Sequence, residues 1–160
     1  MDLAHVMNPD KLTTVGWREW AALNDLNIPR IKAKVDTGAR TSALHASQII
    51  PVRQDGISRI QFKIHTQQTT NELETVCVAD ILDQRAVKDS GGHVETRWVI
   101  ESRITLGLQT WPIEITLTAR DDMQFRMLLG RTAMKNRIIV DPSRSYLTGK
   151  RSSKPGKSNS

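Results

Sequence analysis

Apolar and polar positions alternate along much of this chain, and alternation at every second residue predicts strand rather than helix. In IKAKV (31–35), Ile31, Ala33 and Val35 share one side while Lys32 and Lys34 take the other, the mark of a half-buried strand. RIQFKIHT (59–66) repeats the pattern with Ile60, Phe62 and Ile64, and TVCVADIL (75–82) is a β-rich run of the same type. The longest alternation sets Thr96, Trp98, Ile100, Ser102, Ile104 and Leu106 against Arg97, Glu101 and Arg103, and Gly107 ends it. WPIEITLTA (111–119) then alternates Ile113, Ile115 and Leu117 with Glu114 and Thr116. Short strands with turn signals between them predict an all-β barrel or sandwich.

Helical signals are few. RTAMKNR (131–137), directly after Gly130, predicts one short helix, and TSALHASQII (41–50) is a weaker second candidate. Pro29 blocks a long helix across 15–31, which opens with VGWREW. No repeat or linker divides the body. The expected organisation is an N-terminal extension over 1–14, one domain over 15–149 and a disordered basic tail over 150–160.

Composition narrows the function classes. With 160 residues, 38% hydrophobic and 25% charged, the chain has the material for one domain with a sizeable core. No apolar run approaches the roughly 20 residues of a membrane span. The opening MDLAHVMNPDKL lacks the basic-then-apolar order of a secretory signal. Cys77 stands alone, so no intrachain disulfide forms, and a cytoplasmic location is expected. The net charge of +6 invites a nucleic-acid reading, yet Lys150, Arg151, Lys154 and Lys157 sit in a tail without acids. Removing those four from +6 leaves +2 for residues 1–149, and aromatics are only 4%, so nucleic acid is not the expected partner.

The stretch that carries chemistry is KVDTGARTSALHA (34–46). A hydrophobic strand delivers Asp36 to a turn followed by Thr37 and Gly38. An aspartic protease needs a carboxylate at the end of a rigid strand, where a second carboxylate can share its proton and the pair activates water. Thr37 is expected to brace the loop through its hydroxyl, and Gly38 to let its amide approach the carboxylate. Asp-Thr-Gly alone is weak, since ordinary turns use the same residues. A second signature follows about ninety residues on: FRMLLGR (125–131), two apolar residues and a glycine leading into the short helix.

Together these segments resemble the retropepsin-like aspartic proteases, in which a strand bearing such an element supports the catalytic loop. Leu128, Leu129 and Gly130 match the supporting element, and Arg131 follows it. VGWREW, VDTGARTSALHA, ETRWVIESRITLG, ITLTARDDMQFRMLLGRTAM and IVDPSRSYL are similar to one bacterial branch, the RimB family of "ATP-dependent zinc proteases" found beside RimK-type glutamate ligases. The resemblance covers about residues 15–148. It implies a closed retropepsin-like β-barrel, with Asp36, Thr37 and Gly38 as the catalytic loop and a flap around 86–104.

The older family name finds no support in the residues. His-Glu-x-x-His and paired cysteines are missing, His5, His45, His65 and His93 are scattered, and no Walker-type loop appears. Neither zinc nor any other cofactor is expected. Asp89-Ser90-Gly91 is a poor second catalytic loop, because Val87-Lys88 is not an apolar lead-in, and it reads as a hairpin tip. One competent Asp per chain then points to a homodimer with Asp36 from each copy. The resemblance further implies an acidic substrate, glutamate tails added to a ribosomal protein by a RimK-type ligase. Forked cations should meet it: Arg40, Arg97 and Arg131, with Lys88 and Arg120 outside them. Each also has an ordinary surface reading, and Arg131 a loop-bracing one. The alternative function is a retropepsin-like domain that binds peptides or partners without cutting.

Overall fold

The strands form where β-branched and aromatic residues recur at every second position, because that spacing packs one face of a pleated chain inward. The computed structural model describes residues 12–66, 74–88, 91–120 and 124–149. The expected tail, most of the expected N-terminal extension, and Asp89 with Ser90 lie outside these residues. In chain order the strands are β1 (Thr13–Val15), β2 (Arg18–Leu23), β3 (Ile28–Val35), β4 (Ser42–His45), β5 (Ser47–Gln54) and β6 (Ile57–His65). They continue with β7 (Glu74–Lys88), β8 (Val94–Leu106), β9 (Gln109–Thr118), β10 (Met127–Leu129) and β11 (Ile138–Val140). Among the described residues helix is limited to α1 (Arg131–Met134) and a 3-10 turn at Asn24–Leu26.

The expected helix over 41–50 is corrected to two strands, β4 and β5. Ala43, Leu44, Ala46, Ile49 and Ile50 fall at near-helical spacing, but β4 lies between two other strands and is buried on both faces, so no polar side was needed. The helix expected over 131–137 is a single turn that stops at Met134.

Nine strands join in the order β2-β3-β10-β4-β9-β8-β7-β6-β5. β2 also meets β8 through Ala22 and Thr105, bringing the sheet round on itself in a partial ring. Inside lie Ile31, Ala33 and Val35 of β3, Ile100 and Ile104 of β8, and Ile115 and Leu117 of β9. β1 and β11 form a separate parallel pair, in which Thr13 and Thr14 already partner Ile138 and Ile139. Two features set up the site. First, β10, late in the chain, lies parallel to β3 and antiparallel to β4, filling the gap between them. Second, β7 and β8 run on past a bulge near Ile81 as a two-stranded ribbon, paired as far as Lys88 and Val94. The pairing of Lys88 with Val94 marks the outer end of this ribbon.

Candidate active site

β3 ends at Val35, and the next residue, half-buried Asp36, begins a tight loop held at both ends by backbone bonds. The Asp36 amide donates to the Leu129 carbonyl at 2.9 Å, and the Ala39 amide to the Asp36 carbonyl at 3.2 Å. Beyond the loop, the amides of Arg131 and Thr132 donate to the carbonyls of Ala39 and Arg40, each at 2.9 Å. The Gly38 amide donates to Asp36 Oδ1 at 2.9 Å, which fixes one carboxylate oxygen and leaves the other for chemistry. A Cβ on Gly38 would stand 3.3 Å from that oxygen, tighter than most carbon contacts.

Behind the loop the packing is closer still. The Gly130 amide donates to Ser42 Oγ at 3.0 Å, and a Cβ on Gly130 would lie 2.6 Å from the Thr41 carbonyl carbon. Only glycine lets β10 press against the chain entering β4. Leu129 is buried and supplies the acceptor for Asp36, whereas Leu128 faces the cleft. Thr37 braces the loop by a different group from the one expected. Its carbonyl accepts Arg131 Nη1 at 3.0 Å, while its exposed side chain makes no hydrogen bond among the described residues. Arg131 is thus tied to the loop itself.

Asp36 opens on a cleft of about 650 Å³ between the loop and the β7–β8 ribbon. Arg40, Lys88, Arg97, Arg120 and Arg131 all line it, so five residues distant in sequence converge opposite one acid. They differ in availability. Arg40 and Lys88 are exposed and have no ion-pair partner among the described residues. Arg97 is only 9% exposed; its Nε donates to Glu95 Oε1 at 2.9 Å and its Nη1 to Thr116 Oγ1 at 3.3 Å. Thr116 Oγ1 in turn donates to the Ser42 carbonyl, linking the ribbon to the start of β4 just beyond the Asp36 loop.

Two contributors were not expected. Arg85 lies directly across from Arg97 in the ribbon and lines the same cleft. Glu114 and Asp83 offset that like-charge pairing, and their hydrogen bonds hold the Arg85 guanidinium above its ordinary pKa. Reading the polar run 83–88 as strand would have placed Arg85 opposite Arg97. Ser42, fully buried, joins Gly130 to Thr116, and nothing local in the sequence marks it. Asp36 is the one acid lining the cleft among the described residues, and no group of three His, Cys, Asp or Glu converges there.

Over 140 residues the chain is 44% identical to a probable alpha-L-glutamate ligase of Shewanella halifaxensis, a match spanning 88% of this chain and 31% of that protein. A protein of the same description from Parasynechococcus marenigrum is 46% identical over 84% of this chain and 29% of its own length. The chain therefore spans about a third of the curated relatives it matches. Among solved structures, a Legionella pneumophila protein of unknown function is 29% identical with a TM-score of 0.71, covering 85% of this chain and 98% of that one. A family model described as the retropepsin-like aspartic endopeptidase RimB matches residues 14–151. The chain belongs to the RimB-like family of retropepsin-like aspartic endopeptidases.

Proposed function

We propose that this chain is an aspartic endopeptidase that works as a homodimer, each copy contributing Asp36, and that it hydrolyses glutamate-rich tails. The observation that carries the reading is the placement of a backbone-locked Asp36 at the mouth of a cleft lined by arginines and a lysine. Among the described residues a single chain offers one carboxylate there, and the chemistry needs two. In the dimer, one Asp36 takes a proton from water as its oxygen attacks the scissile carbonyl carbon. The other, protonated, donates to the carbonyl oxygen; the C–N bond then breaks and the leaving nitrogen takes up a proton. No covalent intermediate forms. Charged forks around the cleft suit a row of carboxylates better than an apolar peptide. The relatives named as glutamate ligases support a glutamate polymer as the class of substrate.

The test is hydrolysis of a glutamate-tailed peptide by the unaltered chain and by Asp36→Asn, each with and without EDTA. Cleavage that survives EDTA and disappears in Asp36→Asn is expected. Cleavage retained by Asp36→Asn, or abolished by EDTA, overturns the aspartic mechanism. The ligase relatives also favour a second reading, a module that holds glutamate tails for another enzyme. On that reading Asp36→Asn and the unaltered chain bind the tail equally and neither cuts it.

A further inference from the structure

The outer face of β2 and β3, on the side of the sheet away from the core, carries a second concentration of positive charge. Arg30, Lys32 and Lys34 alternate with the buried Ile31, Ala33 and Val35, and Arg18 and Trp20 face Lys34 and Lys32 across the pair. The acid of β2, Glu19, is buried on the opposite side. Aromatic rings hold the two arginines in place. Arg18 lies 4.5 Å from the Trp17 ring centroid and 4.9 Å from that of Tyr146, and Arg30 lies 3.9 Å from that of Trp20. Trp20 stacks on Tyr146 with centroids 5.8 Å apart and planes 20° from parallel.

This arrangement is built rather than incidental. Tyr146 takes the left-handed backbone conformation, its amide bonded to the Arg18 carbonyl. The next two amides donate to the buried Glu19 carboxylate at 2.8 and 3.0 Å. Neither Arg18 nor Arg30 has a carboxylate partner among the described residues. The Nε of each is buried without a hydrogen bond, and both side chains are partly exposed. Stacked guanidinium groups lose little freedom on binding, so their forks are preorganised for anions.

We propose that this face is a secondary binding surface for an extended acidic peptide, holding part of a glutamate tail away from the cleft. The chemistry of the ligand rests on the glutamate-tail reading given above. Cations at every second residue of β3 stand about 7 Å apart, the spacing of alternate carboxylates along an extended peptide. A nucleic acid fits less well, because Trp20 has Tyr146 stacked on it and Arg30 and Lys32 over its ring, leaving little open face for a base.

The test is binding of a fluorescent oligoglutamate peptide to the Asp36→Asn chain, which separates binding from turnover. Adding Arg18→Gln and Arg30→Gln is expected to weaken binding about tenfold. Arg53→Gln with Arg59→Gln, in the β5–β6 hairpin, serves as the charge-matched control. Lys32→Gln with Lys34→Gln, which leaves Arg18 and Arg30 on their rings, should also weaken binding and guards against loss of the fold. If neither pair loses more affinity than Arg53→Gln with Arg59→Gln, the surface is not a tail site. If oligouridylate binds there in place of oligoglutamate, with the same dependence on Arg18 and Arg30, the acidic-peptide assignment is overturned in favour of nucleic acid. Binding that depends on both pairs, in a protein whose unaltered form never cuts the peptide, upholds the surface and sinks the protease reading instead.

Discussion

At the scale of single residues, the site depends on close approach as much as on charge. Gly130 has an ordinary extended φ, so its requirement is space alone. A methyl group there meets the backbone of Thr41 and Ser42 rather than a side chain that can turn aside. Gly130→Ala is therefore expected to cost about 1–3 kcal/mol, seen as a lower urea midpoint with an unchanged slope. An unshifted midpoint would mean that β10 and the loop yield easily. Asp36, Gly38 and Gly130 were legible because each acts on neighbours close in sequence or belongs to a compact motif. Ser42 was not. Its partners Gly130 and Thr116 are 88 and 74 residues away, and only strand pairing brings them together. The contribution of Thr37 was misjudged for a related reason. Its carbonyl matters because Arg131 arrives beside it, which no local pattern states.

At the scale of elements, alternation identified β6, β8 and β9 because each has one face on the core. It failed where that condition fails. β4 is buried on both faces, and the outer half of β7 has almost no interior side, so DQRAVK looks like loop. The 3-10 turn after β2 shows how such elements are fixed from outside. Asp25 accepts from Arg103 Nη2 at 2.7 Å, Arg103 Nε at 3.2 Å and the Arg103 amide at 3.0 Å, pinning the turn to β8. These hydrogen bonds hold the Asp25 carboxyl below its ordinary value of 3.8. A lowered value stabilises the fold above the unfolded-state pKa, and that contribution is lost as the pH falls through the folded value. The pair is solvent-accessible, so the effect is at most about 1 kcal/mol. Stability measured in urea should show the unaltered chain ahead of Asp25→Asn at neutral pH, with the gap closing below about pH 4. A gap independent of pH would remove the charge from the explanation.

At the scale of the whole molecule, the described residues of one chain supply one carboxylate to a cleft that the proposed chemistry leaves half-built. Specific activity on a glutamate peptide should then fall on dilution, in step with the dimer fraction measured by sedimentation. Activity proportional to protein concentration across the dissociation range would place both acids in one chain. The whole-chain view also shows why fold class was readable while the cleft was only partly so. An all-β architecture follows from periodicity, whereas the cleft takes its walls from β3, β4, the β7–β8 ribbon, β9 and β10.

The threading of β10 bears on how the protein comes into being. A nascent chain that has emerged only as far as Thr118 already holds Asp36, Gly38 and every strand of the ribbon. It lacks Leu129 to accept the Asp36 amide, and Arg131 and Thr132 to anchor the far side of the loop. The slot between β3 and β4 is still empty. Because those residues are translated after every strand of the ribbon, the loop orders later than the ribbon, as expected for contacts this distant in sequence. Whatever Asp36 does, it does only in a chain complete through Thr132. The order of synthesis itself leaves the Asp36 loop unbraced until β10 and the residues after it have been made.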